Sequence, residues 1–228
     1  MSNDPLIGIL NNIIKQHLGD ITSKVDEGIR SAGLDPMHHV AGGSHTLGRV
    51  NLGVGHASVD AHYDLGDLRG LSSMKIEQFE ITGGGSDPNN PSAFGGTILL
   101  HAAFGSDLKI HAGGGIEAKV LFIHKSVGIG GTVTVSDASA TASGSFNAAI
   151  KDGQICLEKV QLGGLSVNYA HMGVDIDGLG FFNEFLHPLE NLILGAAKGA
   201  IRGVVSSALH SPVNNAINGQ LPLCGKVA

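Results

Sequence analysis

Apolar residues recur at Leu6, Leu10, Ile14, Leu18, Ile21, Val25 and Ile29, always three or four apart, and Ile9 and Ile13 widen the stripe. That spacing is one face of a helix with 3.6 residues per turn. Asp4 suits an N-cap with Pro5 in the first helical position, and Gly33 and Pro36 are stop signals. A second stripe closes the chain: Phe182, Leu186, Leu189, Ile193, Ala196, Ala200, Val204, Ala208 and Ile217. Pro188 fits the first turn of that helix, so Phe181–His187 reads as a separate lead-in turn. Pro212 should kink or end it. Helices of about 25–30 residues are roughly 40 Å long. A domain of 228 residues is about 45 Å across. Two helices that run the length of the domain must each have an apolar face covered, and the residues between them must cover it.

Those residues read as strands. Val50, Leu52 and Val54 alternate; Ala57, Val59, Ala61, Tyr63 and Leu65 alternate in the other parity, which predicts a bulge near Gly55. Further strands are expected at Met74–Ile81, Thr97–Phe104, Leu108–His111, Gly115–His124, Val127–Val135, Ala138–Ile150, Ile155–Leu162 and Leu165–Ile176. Turn signals stand at Gly83-Gly84-Gly85, at Asp87-Pro88-Asn89-Asn90-Pro91, and at Asp152-Gly153, the clearest hairpin. Strand follows strand with no helix between, so the expected class is α+β: a strongly curved antiparallel sheet wrapped around two long helices, in one elongated domain over residues 1–228. The 35 glycines, set among apolar residues without a repeat of three, suit the kinks and bulges of such a sheet.

The chemistry of the chain is mostly subtraction. A net charge of −6 without a basic stripe argues against nucleic acid and against a polybasic membrane patch. No run of 18 apolar residues occurs, so no membrane span is expected. There is no G-x-S-x-G elbow, P-loop or H-E-x-x-H, and Gly53-Val54-Gly55 leads into a strand and not a helix. His38, His39 and His45 lie close in sequence, but no acid or cysteine stands at a matching metal-ligand spacing. His101, His111 and His124 fall in strands, where they either line a cavity or face solvent; Asp175 and Asp177 share one side of a strand, as a wet face would. No enzyme activity, metal or cofactor is expected. The start, Met1-Ser2-Asn3-Asp4-Pro5, does not read as a signal peptide. Cys156 and Cys224 have neither zinc nor redox-motif spacing, and are either paired or free thiols.

The order of elements, long helix, antiparallel meander, long helix, resembles the tubular lipid-binding superfamily. That group includes bactericidal/permeability-increasing-like domains, insect juvenile-hormone-binding and takeout proteins, and mite group 7 allergens. The local likeness is strongest to the mite allergens. It is carried by Val25-Asp26-Glu27 with Leu34-Asp35-Pro36-Met37, by Arg69-Gly70-Leu71-Ser72-Ser73-Met74-Lys75, and by Gly163-Gly164-Leu165-Ser166-Val167. The resemblance implies an extracellular, non-catalytic protein with a hydrophobic pocket, and a disulfide between Cys156 and Cys224 that ties the sheet to the C-terminal helix. The expected function is binding and carriage of a hydrophobic small molecule, such as a lipid, hormone-like terpenoid, sterol or carotenoid pigment, with transient membrane contact compatible with it. Phe104, Phe122, Phe146, Phe182, Phe185, Leu186 and Ile193 are the candidate lining residues, although core packing alone would use the same residue types. The alternative is a surface-active or structural protein whose helices open at an interface.

Overall fold

The computed structural model describes residues 5–227, so the expected N-cap Asp4 lies outside the described residues. Helix α1 spans Pro5–Ser31, α2 Leu186–Ala200 and α3 Ser206–Asn218. Between and after them run β1 (Ala41–Asn51), β2 (His56–Arg69), β3 (Met74–Asp87), β4 (Asn90–Phe104), β5 (Leu108–Val120), β6 (Ile123–Ser136), β7 (Ser139–Lys151), β8 (Gln154–Leu162), β9 (Ser166–Asn168), β10 (His171–Asp177) and β11 (Leu223–Lys226). The strands form two antiparallel sheets and not one. The first has the order β1-β2-β5-β6-β10; the second has β11-β8-β7-β4-β3, with β9 added on β7.

Several strand boundaries differ from the sequence expectation, each for a local reason. The parity switch at Gly55 is the β1–β2 turn, and the bulge lies earlier, between Thr46 and Gly48. Gly83-Gly84-Gly85 is no turn but lies within the last third of β3, where a close approach makes glycine necessary: a Cβ on the paired Gly96 would stand 2.1 Å from the Gly83 carbonyl oxygen. Leu108 to Val120 is one strand, so the expected Gly115–His124 strand is broken by a turn at Leu121-Phe122. That turn contains no glycine or proline; Leu121 itself takes the left-handed conformation, φ 52°. The expected Leu165–Ile176 strand divides into β9 and β10, which belong to different sheets.

Curvature of each sheet is completed by helices. Helix α2 packs on β10 and β1, the two edges of the first sheet, and also on β2. Helix α1 packs on β3, β8 and β11 and on α3, while α3 packs on β8. Sheet edges expose unpaired N–H and C=O groups, which must find partners when buried. Here side chains from helices supply them. The Asn11 carboxamide takes both backbone groups of Ile81 on edge strand β3, accepting at 2.7 Å and donating at 3.1 Å. On the opposite side, where β8 runs on past its pairing with β11, Asn218 does the same to Val160, accepting at 3.1 Å and donating at 2.7 Å. Asn214 accepts from the Leu162 N–H, His210 bonds the Leu162 carbonyl, and the Ser206 hydroxyl accepts from the Val167 N–H. Ser206, His210, Asn214 and Asn218 are each four apart, so one polar row of α3 serves where a strand would.

Helix α1 ends as its sequence predicts. Gly33, at φ 68°, supplies a left-handed terminus, with Leu34 N–H on the Ile29 carbonyl and Gly33 N–H on that of Arg30. The C-terminal helix departs from its prediction. Its main buried row is Leu189, Ile193, Ala197, Ile201, Val205, Leu209, Val213 and Ile217, each four apart, with Ala200 and Ser206 buried beside it. In a continuous α-helix each such step overshoots a turn by about 40°, so the stripe would spiral away from the sheets. A π turn at Ile201–Val205 underwinds the helix and returns the stripe to the interior. Consequently Val204, expected inside, is 44% exposed, while Val205 is buried. Pro212 neither ends nor replaces this irregularity; it lies inside α3, which the Asn214 and Asn218 bonds hold beyond it.

Among the described residues the buried core is apolar apart from Ser206, whose hydroxyl also donates to the Ile201 carbonyl. Cys156 and Cys224 are joined in a disulfide between directly opposed positions of β8 and β11, tying the segment after α3 to the second sheet.

Replacing Asn218 by Ala leaves two backbone groups of Val160 without their partner and should cost about 2–3 kcal/mol in urea denaturation. The exposed Asn215→Ala should stay within about 0.5 kcal/mol. The double Cys156→Ser, Cys224→Ser variant should lose about 2–5 kcal/mol by the same measurement.

Candidate functional site

The inner face of α2 carries Phe182 and Phe185 from its lead-in 3-10 turn, then Leu189, Ile193, Ala197 and Ala200. The aromatic rings form a chain: Phe181 meets Phe182 edge-on at 5.4 Å between centroids, and Phe182 meets Phe185 at 6.4 Å. Phe185 lies against β1, where a Cβ on Gly48 would stand 3.0 Å from its ring. Opposite, the buried face of the first sheet is built largely of small and branched residues: Ala57, Val59 and Ala61 of β2, Ala112, Ile116 and Ala118 of β5, and Ile129 and Val133 of β6. Leu186 is half-buried at the rim of this layer.

The seven expected lining residues do not form one group. Phe182, Phe185, Leu186 and Ile193 come together between α2 and the first sheet. Phe104 and Phe146 are buried in the second sheet, Phe146 against Phe94 at 5.9 Å between centroids. Phe122 is in neither: it is 94% exposed at the β5–β6 turn, because that turn falls where an unbroken strand was expected. The described cavities are open to solvent, the largest about 720 Å³ between α1 and α3, with Lys24, Glu27, Pro212 and Asn215 in its walls. Of the seven residues, Phe146 alone lines one of these, a crevice of about 70 Å³.

The attachment of the helices separates α2 from the other two. α1 and α3 are fastened to the second sheet by the Asn11, Ser206, His210, Asn214 and Asn218 bonds. Among the described residues no side-chain hydrogen bond or ion pair joins α2 to the first sheet; its His187–Glu190 contact, 2.9 Å, is internal to the helix. Both ends of α2 are irregular. Phe182 breaks the lead-in turn with non-helical angles, and the π turn follows Ala200. Apolar contact is non-directional, so such a helix can shift over its sheet without losing a hydrogen bond. This asymmetry has no sequence signal apart from the polar residues that α2 lacks on its inner face.

Of the histidines singled out in the sequence, His38, His39, His45, His111 and His124 are exposed and His101 is half-buried. His38 bonds Asp67 at 2.6 Å, His39 bonds Asp64 at 2.8 Å, His101 lies 3.4 Å from Glu77, and His124 lies 3.1 Å from Glu117. Among the described residues no three His, Cys, Asp or Glu side chains converge as a metal site would. The helical run Gly180–Asn218 is long and apolar enough, by length and composition, to cross a membrane, although it contains no unbroken apolar run of 18 residues. Its apolar stripe is spent on the two sheets, as in a core helix.

Two solved structures match over 93% of the chain. One is a lipopolysaccharide binding protein, 14% identical, with a TM-score of 0.31; the chain spans 37% of its length. The other is Takeout 1 of Epiphyas postvittana, 12% identical, with a TM-score of 0.37 and 92% of that chain covered. The likeness is one of chain course. No protein-family model matches the sequence, and no curated protein matches it.

Truncating buried Phe182 to Ala should cost about 3–5 kcal/mol in chemical denaturation. Phe122→Ala should change stability by less than about 0.5 kcal/mol, since its side chain is already in water.

Proposed function

We propose that the chain binds and carries a hydrophobic small molecule between α2 and the first sheet, without catalysis. The observation that supports this reading most is the apolar, uncross-linked seam beneath α2. Phe182, Phe185, Leu186 and Ile193 line it on the helix side, and the first sheet's buried face includes the small side chains of Ala57, Ala61, Ala112 and Ala118. A ligand entering there displaces apolar contacts with apolar contacts. Each methylene it removes from water contributes about 0.8 kcal/mol, so ten methylenes give roughly 8 kcal/mol, the free energy of micromolar binding. With no charged group in the seam, selection falls on shape and apolar area, which suits a lipid, terpenoid, sterol or carotenoid. The disulfide favours an oxidising, extracellular setting. Full opening of the helices at an interface would break the Asn11, Asn214 and Asn218 bonds, which weighs against the surface-active alternative.

Native mass spectrometry before and after organic extraction should show one hydrophobic molecule per chain. A ligand at a hundred times its Kd stabilises by about 2.7 kcal/mol, which should raise the melting temperature by roughly 5–10 °C. A purified chain that carries nothing, and whose melting temperature ignores fatty acids, sterols and carotenoids alike, rules the reading out.

A further inference from the structure

Three of the five large hydrophobic residues exposed among the described residues stand on two neighbouring turns. Val54 of the β1–β2 turn is 53% exposed, and Leu121 and Phe122 of the β5–β6 turn are 76% and 94% exposed. The turns lie side by side, since a Cβ on Gly55 would be 3.4 Å from a Val120 methyl. Single exposed apolar residues are ordinary, but three gathered on one end are not.

The charges around them are also one-sided. Arg49, Lys119 and Lys125 are exposed next to these turns, with His56 and His124. On the strands themselves the paired row of Asp60 and Glu117 lies below the tips. Asp60 is bonded to Thr46 at 2.6 Å. The Glu117 carboxyl is held below its ordinary range by Lys119 and then His124, each 3.1 Å away. So a chain with 20 acids and 14 Lys and Arg gathers Arg49, Lys119 and Lys125 at this apolar end, with Glu117 paired to Lys119. No polybasic run shows in the sequence, because the fold draws these residues from separate hairpins.

We propose that this end of the first sheet docks on an anionic phospholipid bilayer. Val54, Leu121 and Phe122 enter the interfacial layer, and Arg49, Lys119 and Lys125 face the headgroups. Apolar side chains contribute by area buried in the interface, and each cation by its attraction to anionic lipid. The docking is separate from ligand carriage, and neither depends on the other.

The chain has no tryptophan, so Phe122→Trp gives a single fluorophore at an exposed site. Its emission should shift to the blue on vesicles of phosphatidylcholine with phosphatidylserine, and far less on phosphatidylcholine alone or in high salt. In co-sedimentation the wild-type chain should bind the mixed vesicles. Leu121→Ser with Phe122→Ser should weaken that binding at least roughly tenfold. Lys119→Gln and Lys125→Gln should weaken it roughly fivefold each. The idea is overturned by an absent blue shift on the mixed vesicles, or by binding that the Leu121 and Phe122 substitutions leave unchanged. Because these positions lie outside the α2 seam, ligand uptake by the same variants reports separately on carriage.

Discussion

Every curved open sheet has two edges, and here the edges of the second sheet are satisfied by carboxamides. Asn11 on α1 and Asn218 on α3 each present one oxygen and one nitrogen to a single strand residue, Ile81 of edge strand β3 and Val160 of β8 beyond its pairing with β11, as a neighbouring peptide would. The two helices also pack on each other. The sheet is therefore closed through helices and not through a final strand pair. The disulfide adds a covalent fastening on the β11 side, and β9 is held through Ser206. The polar row of α3 and the single Asn11 of α1 stand where those backbone groups need partners.

The first sheet is closed differently. Helix α2 spans its two edge strands with apolar side chains alone, and the aromatic chain from Phe181 to Phe185 anchors one end. A polar closure resists sliding, because hydrogen bonds have narrow geometric limits. An apolar closure resists only separation. The molecule thus has one half built for permanence and one half whose cover tolerates adjustment, and the proposed ligand seam lies in the second.

Much of this architecture was legible in the sequence, and the misses share a cause. The α1 stripe, its Gly33 terminus and the Asp152-Gly153 hairpin are local patterns, and local patterns were read well. Two of the motifs behind the family resemblance turn out to be one clamp. The Asp35 carboxylate accepts the Gly70 and Ser72 N–H groups, at 3.1 and 2.7 Å, joining Leu34–Met37 to the segment after β2. What escaped depends on contacts distant in sequence. Gly83-Gly84-Gly85 looks like a turn until β4 is placed beside it. The Leu121-Phe122 turn carries no turn residues, so Phe122 was read as interior. Asn11 and Asn218 look like interruptions of apolar stripes until the strand edges they serve are known.

The π turn has a mechanical consequence. A regular helix transmits rotation about its axis from one end to the other through its ladder of i to i−4 hydrogen bonds. At Ile201–Val205 that ladder changes step. Helix α3 cannot roll, because four side chains pin it to β8 and β9. Helix α2 carries no such pins. The break in step sits between the two, so the long C-terminal element works as a fixed shaft and a free shaft joined by a torsional coupling.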